Sequence, residues 1–416
     1  MIDIARLRDE PGYRAGAERK GVNPALIDDV LAADDARRAV RAEVEELRAR
    51  QNAASKEIGR VPAEERDQRI AAATTLKDEL VAREPALVAA EAKLRELTLQ
   101  IPNPAAASVP DGGEDDAELI RTVGEQAPAP ASDHAEYGER MGFVDVERAV
   151  AMSGSRFAYL MREAALIELA LLQWVMDRVV AAGFVPVVPP VLVREETMEE
   201  AAFFPTDRHQ VYEVDGGELF LVGTSEVPLS ALHRGEIVES DDLPLRYAGV
   251  STCFRREAGT YGKDTRGIFR VHQFDKIEMF SYAHPDNSWD ELEALLAVEE
   301  EIVAGLGLPY RVVNIAAGDL GAPAAKKYDI EAWLPSEGRY RELTSCSSYT
   351  DYSARRLGTR FRAGAGNQLV HTLNGTGCAI GRTLLFLFEL YQEPDGGLAV
   401  PDVLVTYTGF SRVEPH

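Results

Sequence analysis

Two hydrophobic seams joined by a four-residue break constrain this chain more than any other feature. Val40, Val44, Leu47, Gln51, Ala54 and Ile58 recur at spacings of 4, 3, 4, 3 and 4. That is the a/d heptad pattern, which keeps one stripe of a helix turned toward a partner. Gly59-Arg60-Val61-Pro62 ends it, because glycine and proline each interrupt a helix. A second seam follows at Leu80, Arg83, Leu87, Ala90, Leu94, Leu97 and Ile101, again at spacings of 3 and 4. Two seams joined this way predict an antiparallel helical hairpin, a coiled-coil arm. At ~1.5 Å per residue, about 37 helical residues reach ~55 Å. Too few apolar faces remain to bury such a hairpin in a globule, so it is expected to project. Pro85 falls within the second helix and predicts a local kink there.

Charge singles out the same region. The chain has 45 Lys+Arg against 69 Asp+Glu, a net −24, which argues against a general nucleic-acid coat. Between Arg37 and Arg83 the balance reverses to 11 basic and 9 acidic residues. Arg41, Arg48, Arg50, Lys56, Arg60, Arg66 and Arg69 form the local strip where a polyanion could approach. A hairpin serving only dimerisation or spacing fits the heptads equally well.

The remaining length, out of 416 residues, leaves room for a sizeable core beside the hairpin. No apolar run reaches the ~18 residues of a membrane helix. The opening residues lack a signal-peptide order, so a cytoplasmic chain is expected. Cys253, Cys346 and Cys378 are too few and scattered for a disulfide framework or a zinc site. Ile101-Pro102-Asn103-Pro104 closes the hairpin, dividing the chain into 1–102 and 103–416. Residues 105–130 read as a linker with one short strand near Leu119–Val123. Beyond it, helices are expected over Leu160–Val180 and Trp289–Gly305. Strands are expected at Phe184–Pro190, Leu219–Val222, Leu245–Val250, Phe269–Phe274, Glu278–Phe280, Tyr310–Asn314, Ile330–Leu334 and Tyr340–Ser345. Segregated helices and hairpin-linked strands indicate an antiparallel α+β domain. A dinucleotide GxGxxG and a Walker P-loop are both absent, so any phosphate must be handled by side chains.

Several polar residues suit a phosphorylated ligand and a small ammonium-bearing one. Cys253-Phe254-Arg255-Arg256-Glu257 reads as a strand running into a long hairpin that returns over Gly267–Phe274. Alternation puts Arg255 and Glu257 on one face of that strand. An arginine fork suits a phosphate, and a carboxylate two residues away can accept from an amino group. Phe274 offers an aromatic face to a base. Thr224-Ser225-Glu226 and Glu278 add hydroxyl and carboxylate groups fit for a ligand carrying both an ammonium and a hydroxyl. Glu342 and Ser345 sit on one predicted strand and suit a hard cation with phosphate oxygens. Asn374-Gly375-Thr376-Gly377 leads toward a helix carrying Arg382 in its first turns, which suits a terminal phosphate.

Taken together, these blocks resemble the bacterial seryl-tRNA synthetases, class II aminoacyl-tRNA synthetases, over nearly the whole chain. The resemblance is carried by Gly154-Ser155-Arg156-Phe157, Gly223-Thr224-Ser225-Glu226-Val227-Pro228-Leu229 and Cys253 through Gly259. It continues in Asp264-Thr265-Arg266-Gly267, Arg270 through Lys276, Tyr340 through Ser347, His371 through Gly375 and Gly381-Arg382-Thr383. The resemblance implies a homodimer with an antiparallel class II sheet flanked by helices, the strand near Phe184–Pro190 serving as motif 1 at the dimer interface. It implies activation of L-serine by ATP to seryl-adenylate and transfer to tRNA-Ser, or also tRNA-Sec, read by the hairpin. Arg255 is similar to the motif 2 arginine on the α-phosphate, and Arg382 to the motif 3 arginine near the γ-phosphate. Arg256, Glu257, Val271, Phe274, Glu342, Leu343, Thr344 and Ser345 match ATP-binding positions, Glu342 and Ser345 also those for Mg²⁺. Thr224, Ser225, Glu226, Arg255, Glu278, Asn374 and Thr376 match the serine pocket. No zinc is implied.

The chain departs from the family pattern at Ser348-Tyr349, where asparagine is common, and at Ser353, where glutamine is usual. Leu384–Tyr391 is unusually apolar, and Leu390 stands for an asparagine. These departures leave open a paralogue serving antibiotic biosynthesis or self-resistance. A serine ligase acting on a carrier protein is a further alternative, though such relatives typically lack the long arm.

Overall fold

A computed structural model describes residues 1–259, 266–364 and 366–415. The Asp264-Thr265 part of the motif 2 loop lies outside the described residues. The chain forms two compact units, Met1–Pro104 and Ala105–His416.

In the first unit, α1 (Pro24–Ile58) and α2 (Ala63–Leu99) pack as an antiparallel hairpin. The heptad positions are shielded: Val44 and Leu94 are buried, while Val40, Leu47, Gln51, Ala54, Leu80, Leu87 and Leu97 are half-buried. Pro85 does not end the second helix. It lies exposed, as does Val81 one turn before it, so the carbonyl deprived of its amide partner can be met by water. Flanking ion pairs join the helices: Arg41–Glu91 at 2.5 Å, Arg83–Glu43 at 2.5 Å, Arg48–Glu84 at 3.0 Å and Arg69–Glu57 at 3.3 Å. Arg41–Glu91 and Arg48–Glu84 flank the seam as e/g-type charges, whereas Arg83 reaches out from a seam position to Glu43. Near its start α1 carries a buried carboxylate, Asp34, held by Arg37 at 2.7 Å, Arg38 at 2.8 Å and Arg8 at 3.1 Å.

The second unit is built on an eight-stranded sheet. Its strands are β1 (Glu118–Val123), β2 (Val185–Val187), β3 (Leu245–Phe254), β4 (Gln273–Ala283), β5 (Tyr310–Asn314), β6 (Lys326–Leu334), β7 (Arg339–Thr350) and β8 (His371–Ala379). They lie in the order β1-β5-β6-β7-β8-β4-β3-β2, all antiparallel except the β2–β3 edge pair. The sheet and three helices, α3 (Arg162–Ala181), α4 (Ser288–Gly305) and α5 (Ile380–Leu390), share the main core. Alternation divides β4 between two faces. Ile277 and Met279 enter that core, whereas Phe280 and Tyr282 join a second apolar cluster with Leu229, Phe361 and Val370. Lys276 and Glu278 share the parity of Phe280, and with it the face that carries the polar site.

Three expected elements differ. The return strand begins at Gln273, so Gly267–His272 is loop and not strand. The first strand of that hairpin ends at Phe254, and Glu257 has φ 47°. Arg255 and Glu257 therefore come together through a turn rather than through strand alternation. The glycine-rich segment 374–377 is strand interior, not a loop before a helix. There a Cβ at Gly375 would lie 3.0 Å from a Glu299 oxygen and 3.3 Å from the Cys346 Cβ, so glycine permits the close packing.

Candidate functional site

A cavity of about 240 Å³ opens on this face. Its walls come from the turn before the short helix Glu226–Ser230, the segment between β3 and β4, and β4, β7, β8 and the start of α5. Of the residues singled out by sequence, Thr224, Glu226, Arg255, Glu257, Val271, Phe274, Glu278, Glu342, Leu343, Thr344, Ser345, Asn374, Thr376 and Arg382 line it. Two do not. Ser225 is buried and its hydroxyl meets that of Ser251 at 2.7 Å. Arg256, the next residue after Arg255, is exposed outside the cavity lining.

Local structure accounts for the convergence. Glu278 sits two residues beyond Lys276 on β4, and Asn374 two before Thr376 on β8, so each pair shares a face. Glu342 and Ser345 are three apart, which a regular strand would turn to opposite faces. The β6–β7 register jumps from Ile330↔Thr344 to Glu331↔Glu342, and this bulge at Leu343 brings both to the cavity.

One end of the cavity is cationic. Arg255 donates from Nε to the Gly223 carbonyl at 3.1 Å, and its guanidinium lies 5.2 Å from the Phe274 ring centroid. That anchor leaves its two terminal nitrogens as the fork for a ligand. Arg382 donates to the Glu342 carbonyl at 3.1 Å and lies 5.0 Å from the centroid of Phe269. Burial would raise the Glu342 pKa, but Arg382, Lys327 and Arg255 outweigh it and hold the carboxyl below its ordinary range. Glu342 is therefore an anion at neutral pH. Glu257 is paired with Arg270 at 2.6 Å.

The other end is a buried cluster of acceptors. Asn374 donates from Nδ2 to Glu226 at 2.9 Å and to Glu278 at 3.4 Å. Lys276 pairs with Glu278. The Glu226 amide is held by the Thr224 hydroxyl at 3.2 Å. Burial, and then repulsion by Glu278, push the Glu226 pKa up to about 8 against a hydrogen bond from Tyr349 and the charges of Lys276 and Arg255. Asn374 Oδ1 is buried with no partner among the described residues. A pocket with two carboxylates and an unmet amide oxygen calls for a ligand rich in donors.

Sequence reasoning missed Phe203, Ile268, Phe269, Arg270, Lys276, Ala379 and Gly381, all in the lining. Lys276 had a signal, its i−2 spacing from Glu278. The loop residues around Phe269 imitate strand alternation, which hid their role.

Comparison with known proteins agrees with this layout. Residues 1–105 match the seryl-tRNA synthetase N-terminal domain, and residues 210–391 match the class II tRNA synthetase core domain for G, H, P, S and T. A serine–tRNA ligase of Mycobacterium tuberculosis is 48% identical over 418 residues, covering 100% of both chains. The crystal structure of seryl-tRNA synthetase from Pyrococcus horikoshii complexed with ATP superposes with a TM-score of 0.91 at 38% identity, covering 100% of both chains. The cytoplasmic serine–tRNA ligase of Naegleria fowleri in complex with AMP gives 0.88 at 32% identity, over 100% of this chain and 99% of that one. With a helical hairpin, a class II sheet and full-length relatives in agreement, the chain belongs to the seryl-tRNA synthetases.

Proposed function

We propose that this chain ligates serine to tRNA, and that the cavity is where serine and ATP react. The observation that carries the reading is the juxtaposition of an arginine fork with a buried, acceptor-rich pocket. Arg255 borders both ends, and Glu226, Glu278 and Asn374 offer acceptors to a small ligand that brings its own donors. Serine brings an ammonium and a hydroxyl. Glu226 and Thr224 suit the ammonium, and Glu278 suits the hydroxyl. A pocket built to bond a hydroxyl rejects alanine, because a buried acceptor position on Glu278 would be left without the donor the substrate brings. Thr376 walls the pocket against the extra methyl of threonine.

The first step needs no nucleophile from the protein. The serine carboxylate attacks the α-phosphorus in line, pyrophosphate leaves, and seryl-adenylate remains. Arg255 meets the charge that develops on the α-phosphate, and the Gly223 carbonyl fixes its direction in advance. Arg382 takes the far end of the triphosphate, Phe274 offers its ring to the adenine, and Glu257 accepts from the adenine amino group. Orientation and fixed charge supply most of the acceleration. A terminal ribose hydroxyl of tRNA then attacks the mixed anhydride and AMP leaves.

Glu342 and Ser345 fit Mg²⁺. Glu342 is held ionised, both offer hard oxygen donors, and two protein oxygens leave the remaining positions to phosphate and water. Among the described residues no group of three or more His, Cys, Asp or Glu is placed to hold a metal by itself, so the nucleotide would complete the set. When bound, the ion neutralises triphosphate charge and orients it.

Leu166 and Leu169 on α3, and Val185 and Val188 on and just beyond the edge strand β2, are exposed apolar side chains that a homodimer contact would cover. The first unit would read tRNA by shape and backbone contacts. No described helix is long and apolar enough to cross a membrane, which accords with a cytoplasmic ligase. Serine-dependent ATP–pyrophosphate exchange compared across serine, threonine, alanine and glycine tests the reading. Exchange driven by serine well above the others is expected, and equal exchange with alanine would overturn it.

A further inference from the structure

We propose that His272 is a positioning residue for Arg255: its imidazole Nδ1–H holds the Arg255 carbonyl and so fixes the main chain from which the guanidinium reaches the α-phosphate. The proposal rests on the reading of Arg255 as the cation that meets that phosphate.

The geometry starts where the β3–β4 ladder stops. Phe254↔Gln273 is its last pair. In a continued antiparallel ladder the next two residues, Arg255 and His272, would exchange two main-chain hydrogen bonds. One of them is made: the Arg255 amide donates to the His272 carbonyl at 2.9 Å. The His272 amide turns instead to the Arg156 carbonyl at 3.0 Å, which leaves the Arg255 carbonyl without its ladder donor. The His272 ring supplies the substitute, with Nδ1 2.8 Å from that carbonyl oxygen. A carbonyl can only accept, so the proton must sit on Nδ1, in the neutral ring as in the cation. One residue thus grips both main-chain polar groups of Arg255.

The ring is itself held. Its centroid lies 5.3 Å from that of the Phe157 ring and 6.2 Å, edge-on, from that of Tyr212. His272 is outside the cavity lining, so it acts through Arg255 and not on the substrate. Beyond Arg255 the turn is pinned again by Gln210. The Gln210 carbonyl accepts from the Arg256 amide at 2.8 Å, and its carboxamide exchanges two hydrogen bonds of 2.9 Å with the Ala258 main chain. Glu257, at φ 47°, sits between these pins in a conformation that surrounding contacts must enforce. The bond from Arg255 Nε to the Gly223 carbonyl sets the direction of the guanidinium, but a side chain is aimed no better than its own main chain is placed. Supports of this kind hold a reacting group to within about 0.5 Å.

Two amide substitutions separate the hydrogen bond from the bulk of the ring. In His272→Asn the amide nitrogen takes the place of Nδ1, whereas in His272→Gln it reaches the place of Nε2. In serine-dependent ATP–pyrophosphate exchange, we expect His272→Ala and His272→Gln to lower kcat about 10- to 100-fold, with KM for serine and for ATP within about threefold. His272→Asn should recover kcat to within about threefold of the parent. If His272→Ala does not fold, the Asn and Gln variants alone decide. A packing role predicts equal losses in those two, following their melting temperatures. In an Arg255→Ala background, His272→Gln should add less than about twofold, because the group it positions is gone. Its full loss in that background would overturn the proposal. So would parent-like kcat in His272→Gln, or equal losses in the Asn and Gln variants, while the assignment of Arg255 stands. If Arg255→Ala itself keeps the parent rate, the assignment of Arg255 to the reacting phosphate fails, and the histidine proposal with it.

Discussion

The hairpin's cations are not equivalent, and their difference makes a quantitative prediction about tRNA. Arg41, Arg48 and Arg69 each face a glutamate of the opposite helix within 2.5 to 3.3 Å. Arg50, Lys56, Arg60 and Arg66 are exposed and have no ion-pair partner among the described residues; they cluster around the turn between α1 and α2. A phosphate must displace a carboxylate to reach the first set, but meets the second set directly. Each phosphate neutralised contributes about 0.7 to 0.9 to the slope of log affinity against log salt. Replacing all four unpaired cations by glutamine should therefore lower that slope by about 3. Between 50 and 200 mM salt, the variant's tRNA affinity would fall by about 60-fold less than the parent's. Replacing Arg41, Arg48 and Arg69 should change the slope by less than about 1 while costing hairpin stability. Titrating tRNA binding against NaCl for both triple and quadruple variants, with pyrophosphate exchange as the control, measures this. Equal slope changes, or a larger effect from the paired set, would refute the reasoning.

Other predictions follow from the catalytic unit and from the seam. Burial and Glu278 push the Glu226 carboxyl up to about 8, so if it holds the substrate ammonium as proposed, kcat/KM for serine should rise about fivefold from pH 7 to pH 8, and Glu226→Gln should flatten that rise. Glu299 is fully buried on α4, accepts from Thr344 at 3.0 Å, and burial raises its pKa well above the ordinary range. A raised acid contributes stability below its unfolded pKa and loses it as pH rises, so Glu299→Gln should soften the loss of thermal stability between pH 6 and 9. Leu94→Ala, a buried seam position, should destabilise the hairpin by about 2 to 4 kcal/mol, lowering aminoacylation but sparing serine-dependent pyrophosphate exchange.

What the sequence disclosed, and what it withheld, follows from how local each signal is. The seams were legible because a 3–4 spacing survives without knowledge of the partner; every seam residue from Val40 to Ile58 is shielded relative to its neighbours. The edge strand Glu118–Val123 was legible inside a linker composition, and pairs with β5 as the sheet's outer strand. The loop Gly267–His272 was misread because Ile268, Phe269 and Val271 look like a strand, although they serve as cavity wall. Ser225 and Arg256 were drawn into the site by sitting beside true lining residues, yet adjacent side chains on extended or turning backbone point apart. The place of Lys276 beside the β8 residues depends on which strands neighbour which, and the β7-β8-β4 order is non-local information. The bulge at Leu343, which makes a spacing of three converge, is likewise invisible to a periodicity argument.

The proposed chemistry requires the Arg255 guanidinium to meet the reacting phosphate. Arg255→Ala, purified with an unchanged melting temperature, should lose at least about 10²- to 10³-fold of serine-dependent ATP–pyrophosphate exchange, the scale expected when a preorganised donor to a developing charge is removed. Exchange persisting near the parent rate in that folded variant would contradict it.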